Sequence, residues 1–261
     1  MPCTLPPEMV DFIVDHLRDE SAALKACCVA AKSWIPRTRK HLFAHVDFYA
    51  RKSHVERWKK TFLDPSNSPA HHTRSLSIYG FPAVTAEDTD VGGWIRTFRN
   101  VIHLSLICRE GHQAFLVSFH GLSPTVRSLH LSSTTTESFN LVCSFPLLED
   151  LSFVFFGSKS EPDRWNVPLR SPKLTGSLDL RTPMGTRSVA RRLLDLPGGL
   201  HFTKITVGCG ARDSQSITEL VSRCSDTLES LTISSWFQSM FSSASVIGQY
   251  LTAARSYRDF T

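Results

Sequence analysis

Hydrophobic positions along the chain follow two different periods. Near the start, Val10, Ile13, Val14 and Leu17 fall at i, i+3, i+4 and i+7, the spacing of one helical stripe. Pro6, Pro7 and Glu8 precede that stripe. Proline suits a first turn, where its missing N–H would have no helical partner, and a carboxylate there meets the positive end of the helix dipole, to which Asp11 adds. Met9 and Phe12 lie off the stripe, so this helix is apolar on two sides. One side can pack on its own domain and the other can meet a partner. A polar break at Arg18–Ser21 follows, with Ser21 the expected N-cap of a second helix. Its small-residue run, Ala22 to Ala31, carries Leu24, Cys27, Cys28 and Ala31 at helical spacing. Trp34 and Ile35 come next. Pro36 is expected to restart a third helix bearing Arg37, Arg39 and Lys40, and Leu42, Phe43 and Val46 end the unit.

Val55, Trp58, Phe62 and Leu63 then predict a bridging helix over 53–63 whose apolar side packs under a first strand, with 64–69 as a loop. From residue 73 the period changes to two. The motif apolar-x-x-Leu-x-Leu recurs at Leu76-Ser77-Ile78, Leu104-Ser105-Leu106, Leu129-His130-Leu131, Leu151-Ser152-Phe153, Leu178-Asp179-Leu180, Ile205-Thr206-Val207 and Leu231-Thr232-Ile233. Steps between copies run from 22 to 28 residues. Val101, Val126, Leu148, Phe202 and Leu228 supply the extra apolar residue three places before the first leucine position. Alternate strand residues point to opposite faces, so Leu129 and Leu131 head for a shared core while Ser128, His130 and Ser132 head away from it. A unit this short cannot bury its own apolar side, so neighbours must stack. Helix-like runs lie between strands: Phe115, Leu116, Phe119 and Leu122; Val189, Leu193 and Leu194; Ile217, Leu220, Val221 and Cys224. Ser245, Val246, Ile247, Tyr250 and Leu251 suggest one more helix, and no polar cap is evident before Thr261, so a shortened stack or an interface is expected there.

Composition narrows the function classes. With 41% hydrophobic and 20% charged residues the chain reads as a folded protein, and no run nears the roughly 18 apolar residues of a membrane helix. The seven cysteines are scattered, without a C-x-x-C pair or zinc spacing, and read as reduced thiols in a cytoplasmic or nuclear protein. The net charge of +5 is uneven: Lys32, Arg37, Arg39, Lys40, Arg51, Lys52, Arg57, Lys59 and Lys60 face only Asp47 and Glu56 in that stretch. The strip lacks the aromatic spacing of a base-stacking platform, so it reads as a solvated face rather than a nucleic-acid site. No nucleophile elbow, phosphate-binding glycine loop, dinucleotide fingerprint or zinc-protease helix occurs. Gly208-Cys209-Gly210 reads as a turn, His71-His72 as a loop, and Glu87, Asp88 and Asp90 as a solvated acidic cluster. No catalytic residue, metal or cofactor is expected.

Leu5-Pro6-x-Glu8, followed by Ile13, Leu17, Leu24, Val29 and Trp34, resembles the F-box, a motif of about forty residues. Arg39-Lys40-His41-Leu42-Phe43 is similar to the continuation seen in F-box proteins abundant in mushroom-forming fungi. The later motifs resemble leucine-rich repeats of an irregular kind. The usual asparagine after each strand is replaced by Phe81, Arg109, Thr134, Phe156, Pro183, Gly210 and Trp236. The resemblance implies an α/β chain with a three-helix F-box at 1–48, a linker helix and loop at 49–72, and a leucine-rich-repeat solenoid at 73–261. Parallel strands would line the concave face and helices the convex face. It further implies a non-catalytic adaptor of an SCF-type ubiquitin ligase. Leu5, Pro6, Glu8, Met9, Phe12, Ile13, Leu17, Leu24 and Trp34 would meet, or support the face that meets, a Skp-type adaptor and through it a cullin-based ligase. Pro7 with Val10 departs from the leucine pair common in the family. A protein target would sit on the outward strand positions Tyr79, His103, Ile107, His130, Asp150, Val154, Asp179 and Arg181. A repeat scaffold outside any ligase would show the same periodicity.

Overall fold

The structure is a computed structural model that describes residues 5–49, 52–62, 64, 68–79, 90–107, 116–122, 124–132, 136–154, 171–181, 186–209 and 214–235. It is α/β, with eight parallel strands in one sheet whose spatial order follows the chain, β1 to β8. The strands are β1 (His45–Tyr49), β2 (Ser75–Tyr79), β3 (His103–Ile107), β4 (Ser128–Leu131), β5 (Asp150–Val154), β6 (Ser177–Arg181), β7 (Lys204–Cys209) and β8 (Ser230–Ser235). All seven recurring motifs are strands, β2 to β8, paired in unbroken register so that Leu76, Leu104, Leu129 and Leu151 stand side by side. The sheet begins one strand earlier than the repeats suggested. Val46 and Phe48 are inward residues of β1, so a boundary at 48/49 falls inside a strand.

The helices are α1 (Pro7–His16), α2 (Ser21–Ala30), α3 (Ile35–Leu42), α4 (Lys52–Thr61), α5 (Asp90–Ile95), α6 (Thr136–Ser144), α7 (Thr186–Leu194) and α8 (Ser214–Arg223). Pro7 occupies the first turn of α1 with Glu8 beside it, as the sequence required. Ser21 is not the cap of α2: Glu20 holds that position and no side chain caps the helix. Leu116 is α-helical and a 3-10 turn (Val117–Gly121) follows it; Phe115, at the start of that run, lies outside the described residues. The chain from 236 onward, with the expected last helix, and the seven positions that replace the repeat asparagine lie outside the described residues.

One hydrophobic core runs the length of the sheet. Strand residues such as Leu76, Leu104, Leu129, Phe153 and Leu180 meet Phe119, Phe139, Val189 and Ile217 from the connecting segments. The other face of the strands is half-buried or exposed among the described residues, apart from buried Gly208 in β7. Parallel sheets are usually covered on both faces and then read as continuous apolar runs. The alternation in these strands records that only one face is covered. The β1 end of the core is aromatic. Phe48 packs edge-on against Trp58 of α4 at 5.1 Å and Trp94 of α5 at 4.7 Å, and Phe98 closes on Trp94 at 5.3 Å. These contacts put the apolar side of the bridging helix against β1, one strand before the strand at Leu76–Ile78 under which it was expected to pack; Leu63 lies outside the described residues.

Backbone bonds repeat at the start of each strand. The Ala44 carbonyl accepts from the N–H groups of Arg74 and Ser75, both at 2.9 Å; Arg74 accepts from Ile102 and His103, Ile102 from Arg127 and Ser128, and Arg127 from Glu149 and Asp150. Side chains three places ahead of a strand add to this. Asn100 donates to the His71 carbonyl at 2.6 Å, Thr125 to Val101 at 2.9 Å and Thr227 to Phe202 at 3.2 Å. Each such bond is worth about 0.5–1.5 kcal/mol net, so the set fixes register as well as adding stability.

Candidate docking and recognition surfaces

The first three helices form their own small core. Val10, Val14 and Leu24 are buried together, with Leu17, Trp34 and Leu42 packed around them. Turning the stripe of α1 inward leaves its other side in solvent: Leu5 is 51% exposed, Met9 49% and Phe12 60%. Val29 on α2 is 88% exposed. Large apolar side chains normally leave water on folding, so Leu5 just before α1 with Met9 and Phe12 on it forms an unusual exposed apolar group. Pro6 and Glu8 are also exposed and Ile13 is half-buried. The nine residues expected to face or support an adaptor are therefore divided by the fold. Leu5, Pro6, Glu8, Met9 and Phe12 can touch another molecule directly. Leu24, 1% exposed, can act only from beneath. Leu17 and Trp34 are shared between the core and its rim.

A polar cluster, unforeseen in the sequence, fastens α1 to α3. Arg37 Nε donates to Asp15 Oδ1 at 2.6 Å, Arg37 Nη2 donates to Asp15 Oδ2, and His41 Nε2 lies 2.7 Å from Asp15 Oδ1. The hydrogen bond from Arg37, then that from His41, hold the Asp15 carboxyl far below the usual carboxylate range. Arg37 is raised in turn, chiefly by its bond to Asp15. Arg37 therefore leaves the solvated basic strip. Buried Thr38 donates to the Trp34 carbonyl at 2.7 Å, which fixes the turn into α3. The sequence signal was present: Asp15 with Phe12 and His16 defines a third side of α1, and Arg37 and His41 are four apart on α3.

The eight residues assigned to a target all stand on the open face of the sheet, because each has the strand parity opposite to the buried leucines. They divide into two groups. Some are committed to the protein itself. Asp150 Oδ1 accepts from both the backbone N–H and the hydroxyl of Ser177 at 2.7 Å. At this step Gly176 N–H alone goes to the Glu149 carbonyl, at 3.1 Å, so the carboxylate takes the bond that a second backbone carbonyl contact makes at other strands. Gly176 permits this approach, since a Cβ there would meet Asp150 Oδ1 at 2.5 Å. Asp179 is held by Arg181, with Nε at 2.9 Å from both oxygens and Nη2 at 2.6 Å. His130 shares a 2.9 Å bond with Ser152, and burial is the main reason its imidazole is held below the ordinary histidine value. The remaining four are Tyr79, His103, Ile107 and Val154. Tyr79 and Ile107 are in register, and the exposed Tyr49 ring, which the sequence reading missed, lies 5.5 Å from Tyr79. Phe43-x-x-Val46-x-Phe48 would have revealed that strand, being the repeat motif with aromatic residues in leucine places.

Among the described residues no group of three or more His, Cys, Asp or Glu is placed to hold a metal ion, and no helix is long and apolar enough to cross a membrane. His71 and His72 belong to a 3-10 turn in which His71 Nδ1 bonds the Ser68 carbonyl at 2.6 Å. Cys209 ends β7; Gly210, Glu87 and Asp88 lie outside the described residues. No protein-family model matches the chain, and no curated protein matches it.

Proposed function

We propose that this chain is a non-catalytic recognition subunit of an SCF-type ubiquitin ligase. In this reading the first three helices are an F-box-like unit that docks on a Skp-type adaptor, and the sheet with its helices is an irregular leucine-rich-repeat solenoid. The observation that carries the proposal is the exposure of Leu5, just before α1, and of Met9 and Phe12 on α1, whose other side, Val10 and Val14, builds a core. The F-box resemblance of Leu5, Pro6, Glu8, Ile13, Leu17 and Trp34 gives that surface its partner. The open sheet face receives the target, and the chain holds it close to a loaded ubiquitin carrier, which raises effective concentration without covalent chemistry of its own. Tyr79, His103, Ile107 and Val154, joined by Tyr49, contact the target; Asp150 supports the strands, and the Asp179–Arg181 pair and His130 present fixed polar groups. The working compartment is the cytoplasm or nucleus.

The test is co-purification of the full chain with a Skp-type adaptor. Wild type binds, and Met9→Ala with Phe12→Ala abolishes binding while the melting temperature is kept. Failure of the folded wild-type chain to bind removes the ligase reading and leaves a repeat scaffold that works outside any ligase.

A further inference from the structure

Asp15 sits where α1 is otherwise weakly held. The core beneath the first helix consists of Val10, Val14 and Leu24, with Leu17, Trp34 and Leu42 at its margin. Apolar contacts of this kind resist separation but have little directionality, so a short helix can roll on so small a core. The Asp15 carboxylate removes that freedom. Its two oxygens take two donors from the Arg37 guanidinium, a planar fork that fixes orientation as well as distance, and Oδ1 is also bonded to His41. All three groups are only partly exposed. Phe12 is one turn from His16, whose Nδ1 bonds the Phe12 carbonyl at 3.0 Å and whose ring lies 4.3 Å from the Phe12 ring. The clamp is thus next in chain to the most exposed aromatic side chain of the docking surface.

We propose that Asp15, Arg37 and His41 are positioning residues that set the pose of α1, and so hold Leu5, Met9 and Phe12 in the arrangement a partner can take without reordering. This rests on the docking role proposed above. Apparent affinity falls in proportion to the fraction of molecules in the competent pose, so a tenfold fall in that fraction costs roughly tenfold in Kd. The cost lies in association, since the contacts of the bound complex are unchanged.

The experiment compares wild type, Asp15→Asn and Asp15→Glu as full chains. Adaptor association and dissociation rates and amide exchange of residues 7–17 are measured. Asp15→Asn keeps the shape of the carboxylate and loses its charge. It is expected to bind roughly tenfold more weakly, with the loss in the association rate, faster exchange in α1 and unchanged exchange in β2–β7. Asp15→Glu keeps the charge and recovers part of the rate. An unaltered affinity, or a loss confined to dissociation, overturns the proposal, because the second pattern means Asp15 touches the partner. If wild type binds no adaptor, the docking reading fails by itself. The clamp is then judged on exchange alone, and unchanged protection of α1 in Asp15→Asn overturns it.

Discussion

The sheet and the helical unit at its head are stabilised in different ways. The sheet has a core that runs through every repeat, and its strands are joined by backbone bonds at each step and by threonine or asparagine bonds at several. The helical unit has a small core of Val10, Val14 and Leu24, a rim, and one charged clamp. A repeated core spreads stability over many equivalent contacts. A small core concentrates it, and leaves apolar surface over. The contrast suggests a division of labour in which the large element is a platform and the small one is an attachment.

The largest effect is expected in the platform. Phe153 is fully buried and stacks on Phe139 at 5.2 Å, so Phe153→Ala should cost about 3–5 kcal/mol and lower the urea midpoint of the sheet. Leu24→Ala should cost about 2–5 kcal/mol, but within the helical unit. Amide exchange should rise in α1–α3 and stay unchanged in β3–β7; a uniform rise would mean that the two regions unfold as one.

The smaller predictions concern single joints. Gly176→Ala should cost about 1–3 kcal/mol, because the new methyl displaces the Asp150 carboxylate from Ser177. Asp150→Ala removes the obstructing oxygen but leaves the Ser177 N–H without its acceptor. A double-mutant cycle should therefore be less than additive, and strict additivity would refute the shared joint. Protons provide a further probe of the contrast. His130 and His72 are held below the ordinary histidine value mainly by burial, so the unfolded chain binds protons more readily than the folded one. Their contribution is present above about pH 6.5 and is lost as pH falls below it, so the urea midpoint of the sheet should drop between about pH 7.5 and 5. Asp15 acts with the same sign but in a lower pH window, and through bonds to its charged form rather than through burial. Its depressed carboxyl contributes above the ordinary value near 3.9, and that contribution fades only on strong acidification. A midpoint for the sheet that does not move over the histidine range would contradict this account.

Much of this arrangement was legible in the chain, for an identifiable reason. A strand with one covered face must alternate, so Leu129-His130-Leu131 and its relatives gave strand positions, inward residues and the outward face together. The two-sided character of α1 followed from helical spacing in the same way. What stayed hidden was decided by contacts between distant segments. Phe43, Val46 and Phe48 carry the repeat pattern with aromatic residues in two of its places, a signal easily passed over, and the pairing of β1 with β2 and the packing of Phe48 on Trp58 and Trp94 put that strand at the head of the sheet. Asp150 looks in sequence like any outward carboxylate, and its bonds to Ser177 exist because a glycine 26 places later lets the chains approach. Asp15 is separated by α2 from Arg37 and His41, and the one signal in the chain, two donors four apart on α3, does not say which carboxylate they meet. The 3-10 turn at Val117–Gly121, which follows helical Leu116, was not foretold either, because apolar spacing alone cannot tell a tight turn from an α-turn.

The smallest effect on folding and the largest on function should coincide at Met9 and Phe12. Both are exposed, so replacing them with alanine should change stability by less than about 0.5 kcal/mol. Titration of a Skp-type adaptor into the wild-type chain and into the Met9→Ala, Phe12→Ala double variant tests the central claim most directly. The account predicts saturable one-to-one binding by wild type and none by the variant at equal melting temperature. Equal binding by both, or no binding by a folded wild-type chain, would contradict it.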